Sequence, residues 1–233
     1  MSQEMIRLTD VAKSFTLHNQ DGATLPVFAG LSMSVAAGEC VALAGPSGKG
    51  KSTLMRMLYG NYLCPAGSIE IRHRDGWTDV AGADPRSILD LRRWTLGYIS
   101  QFLRVVPRVS TLDVVAEPLV SRGVPPEEAQ EKAAAILTRL NLPESLWHLA
   151  PATFSGGEQQ RVNIARGFVA PFPVMLLDEP TASLDKTNRE AVLDLIRDAK
   201  ARGVALIGIF HDAETRNAVC DREFEIASYA VAA

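Results

Sequence analysis

The stretch from Cys40 to Tyr59, CVALAGPSGKGKSTLMRMLY, decides the fold. Cys40 to Ala44 is an apolar run of strand length. Gly45-Pro46-Ser47-Gly48-Lys49-Gly50-Lys51-Ser52 fits the pattern G-x-x-x-x-G-K-[ST], and Thr53 to Tyr59 then places Leu54, Met55 and Leu58 at helical spacing. Strand, glycine-rich loop and helix follow in the order a phosphate loop needs. The glycines let successive backbone N–H groups turn inward on an anion, and the helix N-terminus adds a partial positive charge. Lys51 has the length to reach the outer phosphate oxygens. Ser52, followed by Thr53, offers a hydroxyl of the kind magnesium takes.

Outward from this centre, Met5 to Leu8 and Pro26 to Val35 read as strands, set apart by the turn signals Asn19-Gln20-Asp21-Gly22 and Ala37-Gly38. Ile69 to Arg72 continues the β-rich pattern. From Thr111 to Leu149 the pattern becomes helical. It is plainest over Glu127 to Leu140, where Ala129, Ala133, Ile136, Leu137 and Leu140 share a face and Pro125-Pro126 supplies the start. A buried parallel strand is expected at Val174 to Leu177, a helix at Asn188 to Lys200 and a second buried strand at Val204 to Phe210. The layout is an α/β core interrupted by a helical insertion, without internal repeats.

The second chemical motif is the apolar strand Val174-Met175-Leu176-Leu177 ending in Asp178-Glu179. The end of a strand beside a phosphate loop is where an open α/β sheet places its ligand. There Asp178 would hold magnesium, directly or through water, and Glu179 would orient and partly deprotonate a water attacking the γ-phosphate.

Length and charge narrow the classes. A chain of 233 residues makes one nucleotide-binding unit, and a net charge of -3 gives no overall positive field for a nucleic-acid backbone. The longest run without charge or turn signal, Val204 to Phe210, is far below a membrane span, so no direct membrane insertion is expected; the expected location is cytoplasmic. Cys40, Cys64 and Cys220 are scattered without metal-ligand spacing and read as buried or incidental thiols.

Phe154-Ser155-Gly156-Gly157-Glu158-Gln159-Gln160-Arg161 resembles the signature sequence of the ATP-binding cassette family, and the family's remaining motifs stand in order around it. Gln101 matches the Q-loop glutamine, Ser183-Leu184-Asp185 the D-loop and His211 the switch histidine. Phe15 matches the aromatic on which adenine stacks. Taken singly, Phe15 reads as a core aromatic, Gln101 as a surface amide and His211 as a strand-end histidine; their joint order carries the assignment. The resemblance implies one cassette over residues 1–233. Its core would be a RecA-like P-loop NTPase with an N-terminal antiparallel β subdomain and an α-helical subdomain inserted at roughly 102–160. The implied cofactors are ATP and Mg2+, with Ser52, Gln101 and Asp178 at the metal. Glu179, His211 and Gln101 would serve hydrolysis.

The signature residues Ser155, Gly156, Gly157, Glu158 and Gln159 would meet a partner cassette's ATP, so that two cassettes close head to tail around two nucleotides. Two departures stand out: Lys49 where the family usually has a small residue, and Glu158 where many members have glutamine. Neither touches the residues assigned to chemistry; Lys49 adds a cation near the phosphates and is expected to point to solvent, or else to tighten nucleotide binding. Ser155 to Val162 also resembles lipoprotein-release and macrolide-export cassettes, which implies a transporter subunit. Three longer stretches, Gln101 to Arg108, Leu142 to Pro151 and Gly208 to Asp212, resemble the cassettes of the bacterial carbon–phosphorus lyase system for phosphonate degradation. This second resemblance implies a soluble partner, the carbon–phosphorus lyase core complex, together with a second cassette, identical or related. It also implies a role in joining an alkylphosphonate to the ribose of ATP, giving ribose 1-methylphosphonate 5-triphosphate. Trp147 and His148 would be partner contacts or core.

Overall fold

A computed structural model describes residues 3–17, 22–103 and 107–230; the turn residues Asn19, Gln20 and Asp21 and the segment 104–106 of the Gln101 to Arg108 stretch lie outside them. In chain order the strands are β1 (Glu4–Leu17), β2 (Ala23–Ala36), β3 (Cys40–Ala44), β4 (Ala66–His73), β5 (Gly76–Asp79), β6 (Leu96–Ile99), β7 (Val174–Asp178), β8 (Ala205–Ile209) and β9 (Arg222–Glu225). The helices are α1 (Lys51–Leu58), α2 (Pro85–Trp94), α3 (Thr111–Val120), α4 (Pro126–Arg139), α5 (Gly156–Phe168), α6 (Lys186–Ala201) and α7 (Ala213–Val219).

Two sheets form. An antiparallel sheet has the order β2-β1-β4-β5, and a parallel sheet the order β6-β7-β8-β3-β9. The alternation of side chains along a strand sends successive residues of the parallel sheet into different cores. Val41, Leu43, Val174, Leu176 and Ile207 join α1 and the antiparallel sheet through Ile6, Leu8, Leu31 and Ile69. Cys40, Ala42, Met175, Leu177 and Leu206 pack instead with residues of α3 to α6, among them Val115, Leu137, Val162 and Ile196. The continuous apolar runs at β3, β7 and β8 are therefore buried on both faces.

The expected strands and helices form, with shifted ends. The antiparallel strands are longer than their apolar stretches, at 14 residues each for β1 and β2, because register shifts let the pairing continue past Leu8 and Val11. Helix α1 begins at Lys51 rather than Thr53, so Lys51 and Ser52 lie in its first turn. Strand β8 loses Val204 and Phe210 from its expected ends. The helical stretch Thr111 to Leu149 is two helices followed by a short 3-10 turn at Glu144–Leu146, and the expected boundary near 160 falls inside α5. On α4, Ala129, Ala133 and Leu137 are fully buried, as is the following Leu140, and Ile136 packs at their margin. Trp147 is half-buried and its indole N–H donates to Leu142 O at 3.1 Å, which makes it core, whereas His148 is exposed.

Candidate active site

The ends of three adjacent strands build the centre of the site. β6 pairs with β7 through Ile99 and Leu177, and β7 with β8 through Asp178 and Ile209. Gln101, Glu179 and His211 each lie just beyond one of these ends. Their side chains meet: Gln101 Nε2 donates to Glu179 Oε2 at 3.0 Å, and His211 Nε2 lies 2.6 Å from Glu179 Oε1. With the carboxylate ionised, the ring nitrogen is the donor. Residues 101, 179 and 211 thus form one hydrogen-bonded cluster although long segments separate them.

Glu179 holds a left-handed backbone, φ 55°, which costs a non-glycine residue about 1–2 kcal/mol. Three bonds hold the turn: Glu179 N–H donates to Ile209 O at 3.1 Å, and the buried Gln160 amide donates to Glu179 O at 3.4 Å and to Pro180 O at 3.1 Å. Sequence reasoning passed over Gln160, although a glutamine at a buried helical position signals a buried partner. It also passed over Asn163, whose Nδ2 donates to Ser100 O at 2.6 Å, next to Gln101, and over Tyr98, whose hydroxyl donates to Asp178 Oδ2 at 3.0 Å. Burial lifts the Asp178 carboxyl above the usual range and the nearby Glu179 adds to this, against the Tyr98 hydrogen bond.

The phosphate loop lies between β3 and α1. Gly45, Gly48 and Gly50 all have positive φ, and a Cβ on Gly50 would run into Val27 and Phe28 of β2. Lys51 Nζ lies along the loop, donating to Gly45 O at 2.5 Å and Pro46 O at 3.0 Å. Lys49 is exposed, as expected. A cavity of about 340 Å³ beside α1 is lined by Ser52, Gln101 and Asp178, together with Tyr98 and Ser100. Hydroxyl, amide oxygen and carboxylate are all hard oxygen donors, a set that fits magnesium. Phe15 is half-buried and edge-on to Tyr62, with ring centroids 5.5 Å apart, and Lys13 Nζ lies 4.9 Å from its ring.

At the signature, Ser155 caps α5 and is itself held by Glu158. Ser155 Oγ accepts from Glu158 N, while Glu158 Oε2 accepts from Ser155 N at 2.8 Å and from Ser155 Oγ at 2.7 Å. Glu158 thus bonds directly to the signature serine and to none of Gln101, Glu179 and His211 among the hydrogen bonds of the described residues. Bonding to the Ser155 hydroxyl holds the Glu158 carboxyl below the usual range. Gln159 Nε2 donates to Phe154 O at 3.0 Å. A Cβ on Gly157 would lie 3.1 Å from Ser183 O, so the tip of α5 and the Ser183-Leu184-Asp185 turn are neighbours. Leu184 is buried, and Asp185 caps α6 by accepting from Asn188 N at 2.8 Å.

The family model for ABC transporters matches residues 28–182. The chain belongs to the ABC transporter family. It is the family's ATPase unit, a P-loop cassette, and cassettes of this family generally bind ATP with magnesium. The macrolide export ATP-binding/permease protein MacB of Brucella melitensis biotype 1 is 38% identical over 222 residues, which are 95% of this chain and 33% of that protein. The chain thus spans about a third of the length of the macrolide-export relatives it matches. The lipoprotein-releasing system ATP-binding protein LolD of Maricaulis maris is 35% identical over 92% of this cassette and 90% of its own length. Among solved structures, the dimeric bacterial ABC transporter cassette MJ0796 superposes with a TM-score of 0.85 at 25% identity, covering 96% of this chain and 95% of that one. These relatives carry transporter names, and the carbon–phosphorus lyase resemblance finds no support among them.

Proposed function

We propose that this cassette hydrolyses ATP as one half of a nucleotide-closed pair. The observation that carries the proposal is the meeting of Gln101 and His211 on the two oxygens of the Glu179 carboxylate. In this reading the loop Gly45 to Ser52 with Thr53 cradles the phosphates, and Lys51 exchanges its loop carbonyls for phosphate oxygens. Phe15 stacks on adenine. Ser52, Asp178 and Gln101 would hold magnesium, which neutralises charge between the outer phosphates when bound. Tyr98 fixes one Asp178 oxygen and leaves the other free. Glu179 accepts a proton from the attacking water, steered by His211 and Gln101.

Ser155 and the Gly156 and Gly157 amides, on the first turn with Glu158 and Gln159, serve the partner's γ-phosphate, flanked by Ser183, Leu184 and Asp185. The dimeric state of the MJ0796 neighbour supports pairing. The test is Ser155→Arg, which places bulk and charge at the tip of α5. Nucleotide binding to the single cassette should persist while ATP-dependent dimerisation, read by light scattering, is lost. Undiminished dimerisation would show that the tip is not the contact.

For the machine this pair drives, the MacB and LolD relatives favour a membrane transporter of the macrolide-export or lipoprotein-release kind. Among the described residues no helix is long and apolar enough to cross a membrane, so such a transporter needs a separate or adjoining membrane part. A second reading, coupling to a soluble carbon–phosphorus lyase complex, is favoured by Gln101 to Arg108, Leu142 to Pro151 and Gly208 to Asp212. Affinity capture from cells grown on a phosphonate as sole phosphorus source separates the two. Recovery of a polytopic membrane subunit supports the first, and recovery of a soluble multi-subunit phosphonate enzyme the second.

A further inference from the structure

Two of the three cysteines, far apart in sequence, touch in the fold. Cys40 Sγ and Cys220 Sγ are 3.4 Å apart and not cross-linked. Their contact follows from the pairing of β3 with β9, which brings Val41 level with Arg222. That register sets Cys40 level with Asp221, with Cys220 one residue before it; for strands about 4.8 Å apart and a rise of about 3.3 Å per residue the two α-carbons lie roughly 6 Å apart, within the Cα range of about 4.4–6.8 Å that a disulfide spans. The backbone around the sulfurs is fixed without them. Cys40 N–H donates to Asp221 Oδ2 at 2.8 Å, Asp221 N–H donates to Cys40 O at 2.8 Å, and Lys200 Nζ bonds both Val219 O and Asp221 Oδ1. Reaching the bonding distance of about 2.05 Å asks the sulfurs to approach by roughly 1.4 Å. Cys40 is fully buried, while Cys220, closing α7, is partly exposed.

We propose that Cys40 and Cys220 form a dithiol site that two-electron oxidants of the peroxide class convert to a disulfide. The Cys220 sulfur attacks the peroxide, gains one oxygen as a sulfenic acid and releases water. The Cys40 sulfur then attacks the sulfenic sulfur, and the departing hydroxide leaves as water with the Cys40 thiol proton. In sum, two thiols and one hydrogen peroxide give one disulfide and two waters, with two electrons passing from sulfur to oxygen. The Cys220 sulfur, first, and burial, second, raise the Cys40 thiol, so the partly exposed Cys220 is the sulfur that meets peroxide first. The bond would tie the strand that enters the phosphate loop to the chain that leaves α7, beyond His211. This site stands apart from the nucleotide chemistry and does not depend on the closed-pair reading.

The test treats the whole chain, free of reductant, with graded hydrogen peroxide, then denatures it and alkylates the remaining thiols. The expected result is a peptide joining Cys40 to Cys220, an intact mass lower by two hydrogens, and a Cys64 that is still alkylated. Cys220→Ser should abolish the linked peptide, and the conservative Cys40→Ser should leave Cys220 as a trappable sulfenic acid. Three outcomes would overturn the proposal: oxidation of Cys220 to sulfinic acid with Cys40 still alkylated, a link through Cys64 or between two chains, or both thiols intact at peroxide levels that oxidise Cys64.

Discussion

Replacing Gln160 with alanine tests how the acidic turn is held. Gln160 is 6% exposed and lends its amide N–H to Pro180 O at 3.1 Å and, more weakly, to Glu179 O at 3.4 Å. Alanine removes the donor and leaves a buried carbonyl unpaired, a loss of about 1–3 kcal/mol. The longer bond adds little, so about 1–2 kcal/mol is expected, a fall in melting temperature of roughly 2–8 °C for a chain of this size. The functional loss should be larger than the thermal one. Glu179 sits in a left-handed conformation that the same amide helps to impose, and relaxing it carries the carboxylate away from Gln101 and His211. Misplacement by about 1 Å costs on the order of 100-fold in rate. Thermal denaturation without nucleotide gives the first quantity, and phosphate release at saturating Mg-ATP, well below the melting range, gives the second. A variant that melts early yet turns over at the native rate would refute the link between this amide and the placement of Glu179.

Glu179→Gln keeps the shape of the cluster but removes the base, so turnover should fall by about 100- to 10,000-fold with nucleotide affinity retained. An ATP-dependent dimer should then persist by light scattering, and normal turnover would remove Glu179 from the chemistry. Lys51→Ala removes the lysine that bonds across the loop to Gly45 O and Pro46 O, and should weaken binding of a fluorescent ATP analogue by roughly 10- to 150-fold, the equivalent of a charged hydrogen bond. Glu158→Gln, in the Glu179→Gln background, keeps the helix cap and removes a negative charge from the tip of α5. The ATP concentration needed for dimerisation should fall roughly two- to fivefold, the scale of a charge at a helix terminus. An unchanged midpoint would show that Glu158 turns away from the partner's phosphates.

What could be read in advance follows burial. β3, β7 and β8 are buried on both faces, and their unbroken apolar runs announce them. β9, with the sequence REFE, lies at the sheet edge and has no such run; β6 has only four residues. Because β9 was not legible, neither was the meeting of Cys40 with Cys220 that its pairing creates. Helix α2 went unread as well, although Asp84, which accepts from Arg86 N and Ser87 N as its cap, is followed by Pro85 at the first helical position. The phosphate loop was local and so complete in one stretch. The cluster on Glu179 was not: its members became a set through family resemblance, and their contact depends on the order β6-β7-β8, which no local pattern states.

The polar side chains of α5 suggest how closure and hydrolysis are joined. Over its cap and first eight residues the helix presents Ser155 and Glu158 at its tip, Gln160 to the Glu179 turn, Arg161 to Asn141 O at 2.5 Å beyond α4, and Asn163 to Ser100 O beside the Q-loop. Ser155 to Asn163 spans about 12 Å at 1.5 Å per residue. A helix this short moves as one body, so a push at its tip reaches the acidic turn, the end of α4 and the Q-loop together. A buried amide whose partner slides away leaves an unpaired group, so these bonds resist being stretched one at a time. An anion arriving at the tip from a partner would therefore bear at once on the carboxylate proposed to handle the water and on the glutamine beside the proposed metal donors. Coupling of this kind needs no chain of small displacements through the core. It needs the helix to keep its three ties, and for that reason loss of Gln160 or Asn163 should impair turnover more than either side chain's distance from the phosphates alone would suggest.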